Sequence, residues 1–170
     1  RVEAVGGVGI HAEFAAGLVL KSCVVRGTGG IGLELSGGGI LVDSCRVRGA
    51  DGVGISVVGF DAIVRKCVVE VGEDDAIDVS GSGALVDACR IVEIEGDGVV
   101  TDGVDSLVRR CKISSVRSFG VVCSGDDTRI EDNTLSRCAG GIEIGGAAQQ
   151  VLRNRITDTR IVGVDLDTCS

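Results

Sequence analysis

The chain has 170 residues, with 28 glycines, 8 cysteines, 3 phenylalanines and no proline, methionine, tryptophan or tyrosine. A net charge of −8 and a pI near 4.6 argue against nucleic acid or an anionic membrane surface as partner, and no apolar run approaches the roughly 18 residues that cross a bilayer. The core must be built from Val, Ile, Leu, Ala and Cys, small and mostly β-favouring, while so many glycines exclude long helices and suit tight turns.

The expected elements repeat along the chain. GLVLKSCVV surrounds Cys23, ILVDSCRV Cys45, IVRKCVV Cys67, ALVDACRIV Cys89 and LVRRCKI Cys111, a constant step of 22 residues that continues to Asn133 in RIEDNTL and then, after 21, to Asn154 in VLRNRI. A fixed period of this size marks a solenoid. With the Cys/Asn position as reference, each period predicts three short strands. An upstream strand alternates Leu33 with Leu35, Ile55 with Val57, Ile77 with Val79, and later Ile142 with Ile144 and Val164 with Leu166. A second strand centres three residues before the reference, on Leu20, Val42, Val64, Val86, Val108, Ile130 and Val151. The third centres two residues after it, on Val25, Val47, Val69, Ile91, Ile113, Leu135 and Ile156. Alternation at period two is the pattern of a strand with one buried face.

Three strands per coil stacked in register make an all-β parallel β-helix, with about seven coils of 22 residues and residues 1–170 forming a single domain. The pattern begins in RVEAV and stops in GVDLDTCS without a capping helix, and a start at Arg1 reads as a processed or excised piece. These repeats resemble the right-handed parallel β-helix proteins of the pectate lyase and polygalacturonase superfamily. The right hand rests on that resemblance and on the preference of parallel crossovers. In those families asparagines stack inside the corner that Asn133 and Asn154 match, and the five cysteines replace them as inward corner fillers, expected to be reduced. Cys123 and Cys138 also fall on inward positions, and Cys169 near the open end. An extracellular or cell-surface location is implied by the resemblance alone.

Two residues before the reference the charges alternate in sign, Lys21, Asp43, Arg65, Asp87, Arg109, Glu131, which converts like-charge repulsion between stacked neighbours into pairing. The residue after the reference reads Val24, Arg46, Val68, Arg90, Lys112. One residue before the buried valine, an outward row of Val19, Leu41, Ile63, Leu85 and Leu107 gives way to Arg129 and Gln150. Such a row marks a contact with a second copy, a lateral assembly or a flanking domain, unless a bend in the strand half-buries it.

Acidic residues cluster where the third strand of a coil leads into the next first strand: Asp51, then Glu73, Asp74, Asp75 and Asp78, then Asp97 and Asp102. Asp51-Gly52, Asp74-Asp75 and Gly96-Asp97-Gly98, about one coil apart, resemble the ordered motifs of polygalacturonases. That resemblance implies Asp51, Asp74 and Asp75 as the catalytic carboxylates that protonate the leaving oxygen and activate water, with Asp78 and Asp97 binding a polysaccharide substrate. The family's motif histidine is replaced by Asp97 and its R-I-K motif is missing. Outward first-strand positions carry no Lys or Arg base, which counts against lyase chemistry. No cofactor is expected; carboxylates along one edge would suit calcium, and no close cysteine spacing suits zinc. The short period leaves no room for long loops, and Trp and Tyr platforms for sugars are missing. The reading favoured here is a structural or interaction module, a bare β-helix trunk that associates through its aliphatic row or its ends. The alternative is a carbohydrate-active or carbohydrate-binding domain.

Overall fold

The computed structural model describes residues 1–167, which leaves Cys169 outside it. Every element among them is a strand of three to six residues. The strands form three parallel sheets. Sheet I runs from Val2–Val5 through Val24–Thr28 to Arg155–Thr157, sheet II from Ile10–Ala12 to Val162–Asp167, and sheet III from Val19–Lys21 to Gln150–Leu152. Each strand pairs with its equivalents one coil before and after; Val69 faces Val47 on one side and Ile91 on the other.

Sheets I and II hold eight strands and sheet III seven, so the chain winds about eight turns rather than seven. The extra turn is the first. Val2–Val5 already forms a sheet I strand but precedes the first cysteine, so no reference residue marks it. The step of 22 breaks twice. Ile10 faces Leu33, one residue more than the period, whereas Val19 faces Leu41 at the regular step; the added residue lies around Phe14, in a left-handed conformation at φ 53°. Val121 faces Ile142, one residue less, because three residues separate buried Cys138 from Ile142 where four separate Ile94 from Val99.

From Val25 to Ile144 the inward residues fill one continuous core of Val, Ile, Leu, Ala and Cys, whereas Val164 and Leu166, in the last strand of sheet II, are exposed. Three rows of left-handed residues turn the corners. One lies just before the reference position, with φ of 53–57° from Ser22 to Arg153; a second runs from Ala4 through Gly27 and Val71 to Asp158, and a third from Gly17 to Ala148. Glycine is required where coils approach most closely: Gly59 has φ 155°, and a Cβ there would sit 1.8 Å from the Gly37 carbonyl oxygen.

The reference row is buried from Cys45 to Asn133, and its described cysteines are free thiols. Each sulfur lies near the carbonyl oxygen 25 residues earlier: Cys67 to Val42 and Cys89 to Val64 at 3.6 Å, Cys45 to Leu20 at 3.7 Å. Asn133 Nδ2 donates to the equivalent Val108 oxygen at 3.0 Å, and its Oδ1 accepts the Cys111 amide at 2.9 Å. Asn154 repeats the arrangement, accepting the Asn133 amide at 2.9 Å and donating to Ile130 at 2.7 Å. Hydrogen bonds to Cys111 and Cys67, with burial, push the Cys89 thiol well up. The Cys67 thiol also lies near the Arg65 carbonyl oxygen, at 3.3 Å.

The alternating charges on sheet III are neighbours in register, Asp43 beside Arg65 and Asp87 beside Arg65 and Arg109. Two of the acids, Asp43 and Asp87, are buried. Arg65 reaches Asp43 at 2.9 Å, and Arg110, from the left-handed corner, grips Asp87 with two bonds of 2.8 and 2.6 Å while Arg109 adds a third at 3.3 Å. Such planar two-point pairing is the stronger form of ion pair.

Candidate functional site

The acidic candidates occupy the corner between sheets I and II. Asp75 lies under Asp97 and Asp97 under Phe119: the Asp97 amide donates to Asp75 Oδ1 at 2.6 Å and the Phe119 amide to Asp97 Oδ1 at 2.8 Å. Asp74 caps the amide of Asp75 at 2.9 Å. Gly96 permits the stacking, since a Cβ there would meet Asp75 Oδ1 at 2.5 Å and the Asp74 carbonyl carbon at 2.8 Å. Asp78 stands on the outer face of sheet II between Ser56 and Val100. The structure therefore brings Asp74, Asp75 and Asp97 together, with Asp78 beside them.

Asp51 lies one position out of register with Asp74. Pairing of Ala50 with Gly72 places Asp51 in the row of Glu73 and sets Gly52 against Asp74. The register follows the buried residues of sheet I, which shift the two motifs by one position.

Burial is the main reason the Asp75 carboxyl titrates above the ordinary range, with the charges of Asp97 and Asp74 adding to it; burial and the charges of Asp102 and Asp75 do the same to Asp78. Among the described residues no group of three or more His, Cys, Asp or Glu side chains is placed to hold a metal ion. No helix among them is long and apolar enough to cross a membrane.

The aliphatic row lines up along sheet III, Val19 beside Leu41, then Ile63, Leu85 and Leu107. Val19 is exposed and the other four are half-buried. The row borders an apolar edge that its own spacing did not reveal. At the turn from sheet II into sheet III, Phe14 is 91 % exposed, Val58 54 % and Phe60 60 %. The Phe60 ring lies over Gly38, where a Cβ would be 2.2 Å from it. Gly59, beside Phe60, and the extra residue at Phe14 were the only signals in the sequence.

Charge is divided between the sheets, which the net value of −8 conceals. The outer face of sheet I carries exposed Arg26, Arg46, Arg48, Arg90, Lys112 and Arg155 against Glu3 and Glu70. The facing row of sheet II reads His11, Glu34, Ser56, Asp78, Val100, Val122, Glu143 and Asp165, without Lys or Arg. Where sheet I ends, a hollow of about 270 Å³ lies between Arg90, Lys112 and Arg137. It adjoins an open groove of about 630 Å³ lined by Glu93, Glu95, Arg117, Arg137, Asp158 and Arg160 among others.

The family model described as "Right handed beta helix region" matches residues 30–170. No curated protein and no solved structure matches the chain.

Proposed function

The chain belongs to the right-handed β-helix family, and we propose that within it the chain serves as a structural or interaction module, a rod that associates laterally with a second copy through the apolar edge between sheets II and III. The observation that carries this reading is the exposure of Phe14 and Phe60, two of the chain's three phenylalanines. A core short of large side chains would gain from burying them, yet they extend an apolar surface already formed by Val19, Leu41 and Ile63. Contiguous apolar patches on soluble proteins mark contacts. The occupant is a second copy because the aliphatic row beside these rings, Val19 to Leu107, repeats at the coil spacing of about 4.8 Å, so an identical rod matches it row for row. Ile63→Lys, at the middle of the row, should abolish assembly in a sedimentation experiment while leaving the fold's melting temperature near that of the parent; assembly that persists would defeat the proposal.

One observation favours a second reading, a polygalacturonase-like carbohydrate-active domain. Burial moves the titration of the Asp75 and Asp78 carboxyls upward, the direction in which general acids are tuned. In that reading Asp74→Asn removes glycan cleavage. The engagement of Asp75 and Asp97 by main-chain amides supports the first reading, because those oxygens already serve the corner.

A further inference from the structure

We infer that the hollow between Arg90, Lys112 and Arg137 binds the sulfate or phosphate ester group of a sugar, whose ring lies in the adjoining groove. Apart from Ile113, the hollow's wall is made of residues with side-chain donors. Besides the three cations it carries the hydroxyls of Ser114, Thr134 and Ser136, and no carboxylate lines it. In a chain with 25 acidic and 17 basic residues that composition is distinctive. A tetrahedral oxyanion ester takes donors from several directions at once, as cations and hydroxyls on adjacent coils supply them. Glu70 holds Arg90 at 2.7 Å and Ser115 accepts from Arg137 at 3.3 Å, so two of the cations are positioned before a ligand arrives.

The groove beside it has a different chemistry. Glu93, Glu95 and Asp158 alternate with Arg117, Arg137 and Arg160, with Arg117 and Glu95 paired at 3.0 Å. Acceptors and donors side by side suit the hydroxyls of a sugar ring. The groove opens beside the corner that is one residue short, where the coil of Asn133 contributes only Arg137 to the lining. Its volume falls within the range of small-molecule sites, about 300–1,000 Å³. Arg137 lines both spaces, and so joins the ester to the ring.

The test is calorimetric titration of the intact chain with glucose 6-phosphate and glucose 6-sulfate, beside inorganic phosphate, inorganic sulfate and glucuronate. At least one ester should saturate with Kd of about 1 mM or tighter and bind about tenfold better than its inorganic ion and than glucuronate. The two ester arms distinguish phosphate from sulfate as the natural group. Lys112→Gln and Arg137→Asn should each weaken the ester about tenfold or more, while Arg129→Gln, on sheet III, should not. Both substituted side chains are exposed, and asparagine tolerates the left-handed backbone at 137, so the variants should fold. Absence of saturation, equal binding of the free ions or of glucuronate, or an equal loss from Arg129→Gln would each overturn the inference.

Discussion

The Cys89 sulfur lies 3.6 Å from the carbonyl oxygen of Val64, one coil back, in the bond that Asn133 Nδ2 makes to Val108 at 3.0 Å. Cysteine and asparagine thus perform one task in this corner, supplying a donor to a buried carbonyl. Asparagine adds an acceptor, which takes the Cys111 amide. Asn133→Ala should therefore cost about 2–3 kcal/mol, the penalty for buried groups left unpaired. Cys111→Asn should change stability by less than about 1 kcal/mol, because the same bonds can form in a space of similar size. Urea unfolding measures both; equal losses would show that the row is filled by size alone.

Val71 should be a site of stored strain. Its φ of 55° places a β-branched side chain in the left-handed region, where two other coils use Gly27 and Gly49. Val71→Asn should raise stability by about 1 kcal/mol, or the melting temperature by roughly 2–4 °C. Gly59→Ala should do the reverse by more than about 2 kcal/mol, as its Cβ would strike main chain that cannot yield. Thermal melts of the two variants should move in opposite directions.

Stability should pass through a maximum in mild acid. Asp75 and Asp78 titrate above the ordinary Asp value of 3.8, so the folded chain binds their protons more readily than the unfolded one. Stability then rises as pH falls from neutral through their folded pKa values. Asp43 is lowered by hydrogen bonds from Arg65 and Ser44, and Asp132 by Arg153. Their contribution is present above 3.8 and is lost as pH falls through the lowered values. Melting temperatures across this range should show both limbs. Asp75→Asn with Asp78→Asn should flatten the upper limb, and Asp43→Asn the lower one. A curve unchanged in the double variant would contradict this origin.

The fold was legible because its determinants are local and repeated. From Leu20 to Ile156, the apolar residues that pair in register on sheets I and III are marked by their distance from a cysteine or an asparagine. The alternating charges were legible too, but not that Asp87 would be gripped from the corner by Arg110, a residue outside the alternating series. The motif spacing left Asp51 one position out of register with Asp74, since pairing of buried Ala50 with Gly72 sets the register, not the surface pattern. Phe14, Phe60 and the short corner after Cys138 escaped because each departs from the repeat. Periodicity reveals what is shared by the coils, whereas the candidate surfaces lie where one coil differs from the next.

The most direct test of the proposed module is the solution mass of the intact chain by light scattering over a range of protein and salt concentrations. Association through the apolar edge predicts a mass above the 17.3 kDa of one chain, rising with protein concentration and undiminished by salt, since burial of apolar surface is not screened. A mass of 17.3 kDa at every concentration would contradict self-association, and an assembly that dissolves in salt would move the contact from Phe60 and Ile63 to the charged faces of sheets I and II.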